Sequence, residues 1–273
     1  MVQELRPRSI GEILDVAVTL YRRRIGPLLR VGLIVEVPIQ LFSMLILLSA
    51  LPDEFTVGFG QAQPVYENQD DAALGFAASS AVLVLSFVST YLVTALASRF
   101  IADTYTSATN VPPATTAKMG ARLPVAIGAA LAASAGIVAG IFACVIPGIW
   151  LIGVWSVAMP VLMLEGTDAI RSLGRSLELV RSRFWSAFGV ITIGMMLTTT
   201  ISWSITLVFE LLITTEQSLE SQVISQSIAG TLSAILTTPF IACAVVALYF
   251  DLRIRKEAFD VQMMMTQLDT GRA

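Results

Sequence analysis

The chain has 273 residues, 55% of them hydrophobic and 14% charged, with a mean hydropathy of +0.77, which is too apolar for an ordinary soluble domain of this length. It holds no histidine, so the usual proton shuttle at neutral pH and the commonest metal ligand are missing, and no HExxH, GxSxG, phosphate-loop or zinc-spaced cysteine motif is present. The formal charge of −3 conceals a segregation: the 17 Lys and Arg fall at Arg6 to Arg30, at Arg99, Lys118 and Arg122, at Arg171 to Arg183, and at Arg253 to Arg272, each group flanking long apolar runs.

The first predicted element starts at Ser9-Ile10-Gly11-Glu12, which has capping-box spacing. An amphipathic helix over 9–24 follows, with Ile10, Ile13, Leu14, Ala17 and Tyr21 on one face and Glu12, Asp15, Thr19, Arg22 and Arg23 on the other. Six apolar runs, at about 31–51, 76–98, 124–144, 148–164, 185–212 and 228–250, are each long enough to cross a hydrocarbon core of about 30 Å. The first is too long for a signal-peptide core and follows charged sequence, so it reads as a retained helix. Within the third, Gly128, Ala132, Gly136 and Gly140 form a small-residue track suited to close helix packing. A second amphipathic helix is predicted over 168–183, with Ile170, Leu173, Leu177, Val180 and Phe184 as its apolar stripe. After the sixth run, Asp251 to Arg255, Arg253 to Glu257 and Lys256 to Asp260 are i,i+4 pairs that extend the last helix beyond the membrane.

These elements predict an all-α polytopic membrane helix bundle: six transmembrane helices and two amphipathic helices on the cytoplasmic face, in one integral domain over 1–262, with a flexible tail over 263–273. The positive-inside rule puts the basic groups and both termini in the cytoplasm, with the inner membrane of a bacterium as the natural home. The opposite connections carry Asp53, Glu54, Glu67, Asp70, Asp71, Glu216 and Glu220 without a base, in agreement. A degenerate parallel repeat, 9–101 and 168–254, is suggested by setting Arg22 and Arg24 against Arg181 and Arg183, although two amphipathic helices also resemble each other by chance. Cys144 and Cys243, far apart in sequence, read as buried small apolar residues.

The candidate functional residues are few. Arg22, Arg23, Arg24, Arg171, Arg175, Arg181 and Arg183 are placed to contact anionic lipid headgroups. Glu36 lies inside the first apolar run, where an isolated charge costs about 2.5–3.5 kcal/mol on insertion scales. It therefore needs a partner, a proton or an escape to the interface, and Arg99 is the expected partner. Pro38, Pro160 and Pro239 interrupt three of the runs, and the last two free the carbonyls of Ser156 and Ile235. Thr198, Thr199, Thr200, Ser202 and Ser204 make the fifth run rich in hydroxyls, which either line a polar path or satisfy backbone and neighbouring helices.

Three segments carry a family likeness: Leu5-Arg6-Pro7-Arg8-Ser9-Ile10-Gly11-Glu12-Ile13-Leu14-Asp15 with Tyr21-Arg22-Arg23, then Arg175-Ser176-Leu177-Glu178-Leu179-Val180-Arg181-Ser182-Arg183-Phe184-Trp185, and Leu248-Tyr249-Phe250-Asp251-Leu252-Arg253-Ile254-Arg255-Lys256-Glu257-Ala258-Phe259-Asp260. Together they resemble the bacterial glycerophosphoryl diester phosphodiesterase membrane-domain family. In that family the phosphodiesterase chemistry belongs to a separate soluble barrel, for which this chain has neither the length nor the histidines. The resemblance thus implies a membrane part only, without catalytic residues, cofactor or metal. The expectation is a non-enzymatic accessory or scaffold protein, in contact with the bilayer and its anionic headgroups, that docks a protein partner on its cytoplasmic face and binds no nucleic acid. The alternative is a transporter or permease for a small solute or lipid.

Overall fold

The computed structural model describes residues 9–52, 55–58, 61–65, 68–106, 117–213 and 218–257. Asp53, Glu54, Glu67, Glu216, Asp260, Arg6, Arg8, Arg272 and the tail over 263–273 lie outside them. The chain is an all-α bundle of α1 (Ile10–Arg23), α2 (Ile25–Ser49), α3 (Gln69–Thr106), α4 (Ala117–Ala143), α5 (Val145–Val154), α6 (Ala158–Pro160) with a π-helical turn at Val161–Glu165, α7 (Ala169–Arg181), α8 (Phe184–Ile213) and α9 (Leu219–Glu257). Among the described residues six segments are long and apolar enough to cross a membrane, at Ile25–Ser49, Gln69–Ala102, Arg122–Ala143, Val145–Glu165, Phe184–Phe209 and Leu219–Lys256, which makes this a multi-pass membrane protein. One feature beyond the sequence reading is a small antiparallel hairpin between α2 and α3, β1 (Phe55–Gly58) with β2 (Gln61–Pro64), in which Phe55 pairs with Pro64 and Gly58 with Gln61.

The helix α9 is the axis of the bundle. α1, α2, α3 and α8 all pack on it, and every residue from Ala242 to Phe250 is buried, as a helix that is apolar all round requires. A second layer joins α3 and α4 through Val88, Tyr91, Ala95, Ala126, Ala129, Ala130, Ala133 and Ile137. The exposed apolar side chains, among them Leu33, Ile34 and Phe42 of α2, Met196, Trp203 and Leu211 of α8, and Ile228 and Leu232 of α9, form the surface suited to lipid.

The capping box at α1 forms as predicted: the Ser9 backbone N–H donates to Glu12 at 2.7 Å and the Glu12 N–H to the Ser9 hydroxyl at 3.4 Å. The buried face of α1 is turned slightly from the predicted stripe: Ile13, Val16, Ala17 and Leu20 are buried against α8 and α9, while Ile10, Leu14 and Tyr21 are partly buried beside them. The face of α7 differs from the sequence reading. Ser172, Ser176, Leu179 and Val180 are the buried line, and Ile170 is 84% exposed. Small serines let α7 approach α4, α5 and the π turn closely, and the Ser176 hydroxyl donates to the Val154 carbonyl, left free where α5 ends, at 2.7 Å. Only part of the small-residue track packs. Gly136 lies under the Trp155 ring and Gly140 against the Gly148 backbone, whereas Gly128 and Ala132 face outward, and the adjacent alanine line carries the contact with α3. Cys243 is buried, but Cys144, placed just before α5, is exposed. The hydroxyls of Thr198, Thr200 and Ser204 bond back to carbonyls of their own helix, so they satisfy backbone.

Candidate functional site

Two polar sites stand out, one around the broken helix after α5 and one inside the bundle. The first is organised by the broken helix after α5. Pro160 lacks a backbone donor, the chain leaves helix at Trp155–Val157, and the π turn that follows ends at Gly166, whose φ of 77° is the left-handed conformation that glycine adopts at no steric cost. A Cβ at Gly166 would stand 2.7 Å from the Arg122 guanidinium. The carbonyls so exposed are taken by arginines: Arg122 donates to Leu162 at 3.2 Å and Arg99 to Met163 at 3.5 Å.

Glu165, the last residue of the π turn, ties in the other helices. It accepts from the Tyr249 hydroxyl at 3.0 Å and pairs with Arg175 at 3.4 Å, while Arg253 donates to the same Tyr249 oxygen at 3.0 Å. Arg175 also pairs with Glu178 at 3.1 Å, and Lys256 donates to the Glu178 carbonyl at 2.9 Å. This network joins α7, α9 and the π turn. Sequence reading missed Glu165, Arg122 and Tyr249. The signals were a fourth apolar run barely long enough to span, a glycine directly after its acidic end, and the i,i+4 spacing of Tyr249 and Arg253.

The predicted headgroup-contact residues divide. Arg22, Arg23 and Arg24 are exposed at the α1–α2 junction, and Arg171, Arg181 and Arg183 are exposed on and after α7. Arg175 is not part of that set, because it turns inward to Glu165 and Glu178. Arg181 and Arg183 border an open cleft with Ser182, Glu178, Arg255 and Lys256, in which Arg255 is held by Asp251 at 2.9 Å. At the far end of α1, the Tyr21 hydroxyl donates to the Leu236 carbonyl of α9 at 2.9 Å, and the Tyr21 ring meets Phe240 edge-on. Burial, with a smaller contribution from Cys243, pushes the Tyr21 phenol above its ordinary range, so it stays a donor at physiological pH.

The second site is Glu36 on α2, which is 0% exposed. Its polar neighbours are Gln40 one turn on, Ser89 of α3 and Thr238 of α9, yet neither carboxylate oxygen meets full hydrogen-bond geometry with any described residue. The expected pair with Arg99 is not made. Ser89 is the α3 residue beside Glu36, and Arg99 lies ten residues further along α3, about 15 Å away along the helix axis. Among the described residues no group of three or more Cys, Asp or Glu side chains is arranged to hold a metal ion. Compared with known proteins, the chain matches no protein-family model, no curated protein and no solved structure.

Proposed function

We propose that this chain is a non-enzymatic accessory module of a bacterial inner membrane, with its basic end in the cytoplasm, where it contacts anionic lipid and docks a partner protein. The observation that carries this reading is the set of exposed arginines, Arg171, Arg181 and Arg183 on and after α7 and Arg22, Arg23 and Arg24 at the α1–α2 junction, beside an α1 whose apolar face is already buried in protein. Guanidinium groups so displayed recognise phosphate and carboxylate, and each base near an anionic surface contributes about 1 kcal/mol. The orientation follows from the positive-inside rule. The likeness of the three sequence segments to a phosphodiesterase membrane domain points to the same class of role.

The test is affinity purification from native membranes in mild detergent, with mass spectrometry of bound proteins and lipids. The expected result is a stoichiometric protein partner with retained anionic lipid, and a several-fold loss of both when these six arginines are changed to Gln. Retention of lipid and partner that is indifferent to those changes and to salt would count against the proposal. A permease for a small solute or lipid is the second reading, and Glu36, closed inside the bundle without Arg99, is the observation in its favour.

A further inference from the structure

Glu36 combines three properties that a purely structural carboxyl does not need. It is completely buried, both its oxygens lack a hydrogen-bond partner among the described residues, and it sits where α2, α3 and α9 meet, eleven residues or about 16 Å into α2. No base on the three helices faces it. Arg30 is six residues back on α2 and exposed, Arg99 is engaged at Met163, and the first base of α9, Arg253, is fifteen residues beyond Thr238. The groups that do face it are the Gln40 amide and the Ser89 and Thr238 hydroxyls. Ser89 donates its one hydroxyl hydrogen to the Ser86 carbonyl at 3.1 Å. A hydroxyl or an amide can donate to a carboxylate or accept from a carboxylic O–H, and none of these three neighbours supplies a positive charge.

The backbone around the carboxyl is interrupted on two helices. Pro38 follows Glu36 by two residues and Pro239 follows Thr238 directly, and each removes one i→i−4 bond from its helix. The Ile235 carbonyl that Pro239 leaves free lies 3.0 Å from where a Cβ of Gly32 would be, so α2 and α9 meet closely just where α9 is weakened. Helices that lack these bonds bend most easily at such positions.

We propose that Glu36 is an exchange site for a monovalent cation, and that the proton is the cation it holds in this closed arrangement. Among the described residues a carboxylate ion here has no counter-ion, so its charge is neutralised by what it binds, and the proton requires neither additional volume nor a closed cage of oxygens. When the junction opens, the carboxylic O–H bond breaks, water carries the proton away, and the carboxylate is left hydrated. Closure requires the proton's return. The inference is independent of the accessory role and is the coupling element that a permease would need.

The test uses the full chain in liposomes and dicyclohexylcarbodiimide, an apolar reagent that attacks protonated carboxyls, with the adduct located by peptide mass spectrometry. The expected result is an adduct at Glu36 whose rate of formation falls by about tenfold per pH unit once the proton is released, is indifferent to added Na⁺, and is absent from Glu36→Gln. The wild-type protein carries the test even where that variant does not fold. A rate that is flat from acid to alkaline pH, protection by Na⁺, or no adduct in protein whose helical content and elution are intact would each overturn the proposal.

Discussion

The helices α1 and α7 have 14 and 13 residues, both mix apolar and basic side chains along an amphipathic surface, and each leads directly into a long spanning helix, yet they bury different chemistry. The buried face of α1 is aliphatic and closes on α8 and α9, with one polar pin, Tyr21 to the Leu236 carbonyl, at its far end. Half of the buried face of α7 is serine. It closes on α4, α5 and the π turn, and its pin, Ser176 to the Val154 carbonyl, is in the middle. The difference shows that an amphipathic pattern chooses a face by what the facing surface lacks. Aliphatic neighbours attract an aliphatic stripe, whereas a broken helix with free carbonyls attracts short donors.

The sharpest way to break this comparison is truncation of the buried apolar residue that each helix contributes. Leu20→Ala in α1 and Leu179→Ala in α7 are each expected to cost about 2–5 kcal/mol, measured by thermal or denaturant unfolding in detergent. Ile170→Ala, on the apolar stripe of α7 as read from sequence, should change nothing measurable because that side chain meets no core. A cost at Ile170 comparable to that at Leu179 would mean that α7 packs in the orientation predicted from its hydrophobic periodicity.

A smaller effect is expected from the two pins. Tyr21→Phe removes one hydrogen bond and should cost about 0.5–1.5 kcal/mol, while Ser176→Ala also leaves the Val154 carbonyl without that donor and should cost up to about 3 kcal/mol. Equal costs would mean that the carbonyl at the break finds another donor.

The spans and the cap of α1 were legible in the sequence because they depend on local quantities: length, hydropathy and the spacing of Ser9 and Glu12. What escaped depended on relative position along helices. Glu36 and Arg99 are each one residue of the right charge on adjacent spans, but charge does not give register, and the approach of Ser89 to Glu36 puts Arg99 about 15 Å too far along α3. The π turn was equally hidden. Its carbonyls became acceptors for Arg99 and Arg122 only because the backbone departs from α-helical bonding, and Pro160 gave the break without its partners. The two-stranded hairpin at Phe55–Pro64 has no alternating apolar run to announce it.

Within α7 itself, Arg175 and Arg181 offer a finer comparison, since six residues separate an inward arginine from an exposed one. Arg175→Gln removes the ion pair with Glu165 from a site where the two side chains are 26% and 15% exposed, and the expected loss is about 1 kcal/mol of stability with lipid retention unchanged. Arg181→Gln should leave stability alone and lower retention of anionic lipid. Native mass spectrometry beside a melting curve reads both, and the same response in both variants would show that the inward and outward positions are not distinct.

The smallest difference lies at the two helix starts. Ser9 caps α1 through a reciprocal pair of bonds with Glu12, whereas Asp168, at the same position before α7, makes no side-chain cap bond and has Arg171 4.0 Å away on an exposed surface. Ser9→Ala therefore leaves the Glu12 N–H without its cap and is expected to cost about 1 kcal/mol, with faster amide exchange confined to the first turn of α1. Asp168→Ala removes only an exposed carboxylate beside the α7 terminus, and exchange in α7 should stay as it was. The reason is where each helix is held. The first turn of α1 is wound by its cap, while α7 follows closely on Gly166 and the arginine-bonded π turn, so its start is positioned by the preceding chain. Faster exchange in α7 on loss of Asp168 would show that the turn before it is not the anchor.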